Sequence, residues 1–132
     1  MRDAEHREGV ALMRWAEMSK TKHPCLQWLH HIPNGGRRSK ATAGRLKAEG
    51  VKKGVSDYHL PYPCGGRHGL YIELKAPAVP GKRQGQPTKE QKQFLSDMRQ
   101  LGYMAEVAVG WQQAKELIET YLAGGQHTEA RN

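Results

Sequence analysis

Asp57, Glu73 and Lys75 are the residues of this 132-residue chain whose types and spacing point most directly to chemistry. Asp57 closes the run Gly54-Val55-Ser56-Asp57, and fifteen residues separate it from Glu73-Leu74-Lys75. A phosphodiester is anionic and resists nucleophilic attack. A divalent cation neutralises its charge and lowers the pKa of bound water. Hard cations such as Mg²⁺ take oxygen ligands, commonly one or two carboxylates completed by waters and substrate phosphate. Asp57 and Glu73 offer two carboxylates, and the backbone carbonyl of Leu74 offers a third oxygen. Lys75 could position or deprotonate the attacking water, or stabilise developing negative charge. Two carboxylates held close without a cation would raise each other's pKa, so the set makes most sense with metal. Taken singly these residues read as a turn aspartate and a surface ion pair of little worth; their combination argues for a site.

A strand must present the pair. Leu70, Ile72 and Leu74 alternate with Tyr71, Glu73 and Lys75, so Glu73 and Lys75 share one face while the leucines and isoleucine anchor the other. Around it the pattern predicts a helix over 4–18 with Asp3 as N-cap, weakened by Gly9. A short strand is expected over Leu26–Ile32, ended by the turn Pro33-Asn34-Gly35-Gly36. Ser39 should cap a helix over Lys40–Glu49, with Gly50 as its stop. A strand around Ser56–Leu60 is expected to form a hairpin with Gly69–Lys75. The segment 76–87, with three prolines and two glycines, reads as an exposed loop able to close on substrate. Thr88 and Gln91 fit a capping box for a helix burying Phe94, Leu95, Met98 and Leu101. A strand over Tyr103–Val109 and a helix presenting Ala114, Leu117, Ile118, Tyr121 and Leu122 complete the series. The order α-β-α-β-β-α-β-α predicts an α/β fold with a small mixed sheet flanked by helices, as one domain over 1–122 with a tail over 123–132.

The net charge of +8 and pI near 9.7 favour an anionic partner, nucleic acid first and an acidic membrane surface second. No apolar run approaches a membrane span. The polar N-terminus lacks a secretory apolar region, so a cytoplasmic protein is expected. Cys25 and Cys64 form no CxxC pair and read as free thiols. Between residues 37 and 53, Arg37, Arg38, Lys40, Arg45, Lys47, Lys52 and Lys53 face only Glu49. This run ends just before Asp57, where it could track a phosphate backbone. Lys82, Arg83, Lys89 and Lys92 form a second basic cluster. His30 and His31 are adjacent, so a strand sends them to opposite faces and they cannot share a metal. No ββα-metal pattern surrounds them, and His31 is expected to orient the Pro33–Gly36 turn. His59 and His68 read as surface or hydrogen-bonded residues, and Trp15, Trp28 and Trp111 as core or interface.

Gly54-Val55-Ser56-Asp57 followed by Glu73-Leu74-Lys75 resembles the PD-(D/E)xK nuclease pattern, with serine where proline often stands. More closely, the chain resembles the VRR-NUC nucleases, stand-alone phage or bacterial proteins that also supply the nuclease domain of the Fanconi-associated nuclease. The likeness rests on His31–Gly36, Ala43–Gly50, Gly54–Asp57, Gly69–Lys75, Thr88–Gln91, Gly102-Tyr103 and Gly110-Trp111, and covers roughly residues 5–122. It implies a restriction-endonuclease-like core, Mg²⁺ or Mn²⁺ as cofactor, and branched or flapped DNA, Holliday junctions included, as substrate. By that mapping Asp57, Glu73 and the Leu74 carbonyl hold metal and Lys75 is catalytic. An acid on the first helix completes the site: Glu5 matches best, with Glu8 one turn on as the fallback. Gln91 matches a further position near the site. Where the family places a glutamine four residues after the helix acid, this chain has Gly9. Stand-alone members look dimeric, which implies a homodimer in a bacterial cell or phage-infected host. The competing class is a non-catalytic nucleic-acid-binding module, or an interaction subunit whose nuclease site has decayed.

Overall fold

A computed structural model of the chain describes residues 2–33 and 39–124. The described elements are α1 (Arg2–Met18), β1 (His30–His31), α2 (Lys40–Ala48), β2 (Tyr58–Leu60), β3 (Leu70–Lys75), α3 (Lys89–Gln100), β4 (Met104–Val109) and α4 (Trp111–Leu122). They appear in the order expected from sequence. One four-stranded sheet runs β1-β2-β3-β4. The β1–β2 and β2–β3 pairs are antiparallel, and β3–β4 is parallel with Glu73 opposite Val107. The parallel step is made by α3, as a crossover between parallel strands requires.

The alternation along β3 sorts the two faces of the sheet. Leu70, Ile72 and Leu74 are buried with Tyr58, Leu60, Met104 and Ala108, beneath Leu12 and Ala16 of α1 and Ala114, Ile118 and Tyr121 of α4. Tyr71, Glu73 and Lys75 lie on the other face, where α3 packs. There Phe94 meets the Tyr71 ring edge-on at 5.0 Å, and Leu95 is buried. Tyr121 fixes the end of α4 by donating its hydroxyl to the Tyr62 carbonyl at 2.6 Å.

Two caps form as read from sequence. Ser39 Oγ accepts from the Thr42 amide. Thr88 Oγ1 accepts from the Gln91 amide while Gln91 Oε1 accepts from the Thr88 amide. Three expectations are corrected. Asp3 lies within the first turn of α1 rather than capping it, where its charge still suits the helix dipole. Leu26 belongs to a 3-10 turn over Pro24–Trp28, because Pro24 presets a helical start; only His30 and His31 remain as strand. Leu101 is exposed, as the C-cap of α3. Trp28 is 62% exposed, whereas Trp15 and Trp111 pack on the core.

The segment after β3 is irregular, as expected, and it is braced. Gln84 accepts from the Ala78 amide and donates to the Ala76 carbonyl, each at 2.9 Å. Cys25 and Cys64 are free and half-buried. Among the described residues no helix is long and apolar enough to cross a membrane. Asn34–Arg38 and the 125–132 part of the expected tail lie outside the described residues.

Candidate active site

The site forms where β2 and β3 part. The β2–β3 ladder pairs Tyr58 with Ile72 and ends there. Beyond it, Asp57 replaces a strand partner with its side chain: Oδ2 accepts from the Leu74 amide at 2.7 Å. A strand residue's N–H and C=O point to the same side, so the Leu74 carbonyl faces Asp57 as well. The next carbonyl, of Lys75, points the other way and accepts from Gly110. Asp57 is itself held by its backbone. Its carbonyl accepts from the Ile32 amide at 2.7 Å and from His31 Nδ1 at 2.9 Å. His31 therefore orients the Asp57 segment; the turn it was expected to orient lies largely outside the described residues.

Glu73 is 2% exposed. Its Oε1 has no hydrogen-bond partner among the described residues, and Oε2 stands 3.7 Å from Lys75 Nζ. Burial pushes the Glu73 carboxyl up to about 8, with the Asp57 charge adding to the rise and Lys75 opposing it. A buried carboxylate with an orphaned oxygen costs stability. It is explained if a cation completes it. Asp57, Glu73 and the Leu74 carbonyl form an all-oxygen donor set that fits a divalent cation of the Mg²⁺ type with open positions left for water and phosphate. Among the described residues no three His, Cys, Asp or Glu side chains close a cage, and Glu5 lines the cleft beside Asp57. Glu5 is within electrostatic reach of Asp57, Glu73 and Lys75. Its carboxyl is raised by burial, lowered by Lys75 and raised again by Asp57.

Lys75 is gripped from two sides. Besides Glu73 it reaches Gln91 Oε1 at 3.4 Å. That same oxygen closes the α3 capping box, so one atom both caps the helix and touches Lys75. The start of α3 in turn seats against Gly54. This residue has φ +92°, and a Cβ there would collide with the Glu90 backbone. The approach loop to Asp57 thus needs glycine to lie against the helix that positions Lys75.

The structure separates the two acids on α1. Glu8 Oε1 accepts from the Trp111 amide at 2.8 Å, at the first turn of α4, whose N-cap is Gly110 and has no capping side chain. Glu8 is thus a cap supplied from another helix, while Glu5 lines the cleft beside Asp57. Glu8→Ala is expected to cost about 1 kcal/mol, a few degrees of melting temperature, with cleavage retained. Glu5→Ala should leave melting unchanged and lower cleavage at least tenfold. Thermal melts and initial rates on both variants check the division.

Gly9, one turn beyond Glu5, also has a structural reason. A Cβ there would overlap the Tyr58 hydroxyl. Tyr58 is 7% exposed, and its phenol is raised by burial and by the Asp57 charge. Glycine at position 9 therefore leaves the space that the Tyr58 hydroxyl fills. Gly9→Ala should gain about 1 kcal/mol of helix propensity and lose about 1–3 kcal/mol to overpacking. In a Tyr58→Phe background the loss should shrink, and a double-mutant cycle from denaturant melts reads that coupling.

The other sequence candidates lie apart from this cluster. Lys40, Arg45 and Lys47 are exposed on α2, a helix with no buried residue; Lys52 and Lys53 are exposed in the turn after it. Arg37 and Arg38 lie outside the described residues. His59 stacks on Tyr71 at 4.1 Å and meets the Leu70 carbonyl through Nδ1; burial lowers its pKa. His68 packs edge-on against Tyr103. Sequence reasoning missed Tyr58 and Ser56. Ser56 is fully buried, with Oγ unpartnered among the described residues. Its small size beside Asp57 was the only signal.

No protein-family model matches the chain, and no curated protein matches it. Among solved structures, that of a VRR_NUC domain protein is similar, with a TM-score of 0.76 and 29% identity over 91% of this chain and 88% of that one.

Proposed function

The chain carries a VRR-NUC domain of restriction-endonuclease-like fold, and from that premise we propose that it is a divalent-metal-dependent DNA nuclease, an endonuclease selective for branched or flapped DNA such as Holliday junctions and serving replication, repair or recombination. The observation that carries the reading is the buried Glu73 carboxyl with its orphaned oxygen, next to an Asp57 already oriented by the Leu74 amide. Stability alone does not explain that expense.

Asp57, Glu73 and the Leu74 carbonyl would hold Mg²⁺ or Mn²⁺, with Glu5, on the same cleft, completing the site. When bound, the cation supplies phosphate-charge neutralisation and a water of lowered pKa. Lys75, kept in place by Glu73 and Gln91, holds the attacking water and stabilises the charge that develops on the phosphate. The basic run Arg37, Arg38, Lys40, Arg45, Lys47, Lys52 and Lys53 tracks the phosphate backbone without reading bases. Its helical part, α2, buries nothing, and a nine-residue helix is marginal alone in water; phosphate contacts would give it a reason to persist. Cutting both strands of a junction calls for two sites, most simply from a C2 homodimer.

The test is incubation of purified protein with labelled duplex, flap, splayed and four-way-junction DNA, with and without Mn²⁺. Cleavage of a branched substrate that stops in EDTA is expected. Binding without products under every condition would favour a non-catalytic module instead. Neutralising Lys40, Arg45 and Lys47 together should lower the slope of log affinity against log salt by about 3, as read by anisotropy in Ca²⁺.

A further inference from the structure

Tyr58 is 7% exposed, and its hydroxyl makes no hydrogen bond among the described residues. A buried hydroxyl without a partner costs stability. A second cost places it there. The hydroxyl occupies the space of a side chain at position 9, so α1 carries a glycine in its interior, which weakens the helix. The ring itself is fixed. Tyr58 pairs with Ile72 across the β2–β3 ladder, and the His31 ring packs against it at 5.0 Å. Phenylalanine would fill the same core and strand no hydroxyl, so packing alone does not account for the tyrosine.

Tyr58 and Gly9 line the open cleft that also holds Glu5 and Asp57. Glu5 stands one turn before Gly9 on α1, so it neighbours that space at about 5–6 Å. Asp57 is adjacent in sequence, and its charge reaches the phenol. Glu17 adds a third acid, and Arg14 is the only lysine or arginine of the lining. Such surroundings suit a positively charged occupant. A hydrated divalent cation turns its water protons outward, and Mg²⁺ keeps several of its waters when a protein binds it. A hydroxyl oxygen has lone pairs to accept such protons, and so has the Glu5 carboxylate. Resting on the metal-site reading above, we propose that Tyr58 is a positioning residue for the cation: its hydroxyl accepts a hydrogen bond from a water of the cation's shell on the cleft side of Asp57. Gly9 is the clearance that lets the hydroxyl stand there.

The test measures Mn²⁺ affinity by calorimetry and melting temperature in EDTA on wild type, Tyr58→Phe, Gly9→Ala and the double variant. Groups that hold a metal's surroundings in place cost about 10–100-fold in affinity when removed, so Tyr58→Phe should bind Mn²⁺ at least about tenfold more weakly. It should melt in EDTA at or above the wild-type temperature, because only the stranded oxygen is lost. A residue that merely packs would leave Mn²⁺ affinity where it was. Gly9→Ala crowds the hydroxyl, so it should weaken Mn²⁺ binding in wild type and add nothing in Tyr58→Phe. Equal Mn²⁺ affinity in wild type and Tyr58→Phe would overturn the proposal. So would an earlier melt of Tyr58→Phe in EDTA, which would put the hydroxyl's partner inside the fold, and so would losses that add in the double variant. Neither readout needs turnover. Wild type that binds no Mn²⁺ would sink the metal site and this proposal with it. Tyr58-dependent Mn²⁺ binding in a protein that never cuts would keep the proposal and sink the nuclease reading alone.

Discussion

Glu73→Gln is expected to abolish cleavage and, in the same protein, to raise the melting temperature measured without metal. Both effects come from one side chain. Glu73 is buried beside Asp57, and burial followed by the Asp57 charge drives its carboxyl up to about 8. At neutral pH without a cation the folded state therefore holds this group largely protonated, against its preference in the unfolded chain. Glutamine keeps the shape, never ionises, and can donate its amide toward Asp57. Removing the proton-uptake cost stabilises the metal-free fold. The same change removes a metal-ligand oxygen. Cation catalysis is worth several kcal/mol of transition-state stabilisation, and each 1.36 kcal/mol is tenfold in rate, so a loss of at least about a thousandfold is expected. Paired rate assays and calorimetric melts in EDTA check it. An active variant, or one that melts early, contradicts the assignment of Glu73. Lys75→Ala should match the loss of rate while sparing metal affinity, since Lys75 touches Glu73 and Gln91 rather than supplying a ligand.

The second large effect is a dependence of stability on pH that metal reverses. Between pH 4.5, the ordinary value for the carboxyl, and about 8, the folded value, the folded state binds more protons at Glu73 than the unfolded state. Stability then falls as pH rises through this window. Below it Glu73 is protonated in both states, and above it ionised in both, so its contribution levels off. Glu5, raised in the same direction by burial, adds to the trend at its acidic end. A cation that binds the ionised pair turns the slope around. At a hundredfold excess over its dissociation constant it adds about 2.7 kcal/mol, and more as rising pH frees the carboxylates. Melts across the window in EDTA should slope downward and melts in saturating Mn²⁺ should not. Glu73→Gln should flatten the metal-free curve.

The parts of this site that local pattern controls were legible in the chain. Alternation along Leu70–Lys75 placed Glu73 and Lys75 on one face, and the Thr88–Gln91 spacing announced the capping box that also grips Lys75. The strand expected over Leu26–Ile32 failed because Pro24 starts a 3-10 turn and leaves only two residues for pairing. Local apolarity does not distinguish those outcomes. Sequence ranked Glu5 first and Glu8 as the fallback, and kept both because they lie on one side of α1. Only the arrival of α4, with an uncapped first turn at Trp111, commits Glu8 to a structural task. Gly9 read as a weakness in a helix. The reason for it lies forty-nine residues on, in the Tyr58 hydroxyl that occupies the space of its missing side chain. Tertiary partners of this kind carry no signal in a local window.

The claim on which the rest depends is that Asp57 and Glu73 together hold a divalent cation. Titration of Mn²⁺ into wild-type and Glu73→Gln protein, followed by calorimetry near pH 8, measures it directly. Saturable binding to the wild type, with proton release below the Glu73 pKa and loss of binding in the variant, is the expected result. Equal Mn²⁺ binding by the two proteins, or none by the wild type, would contradict it.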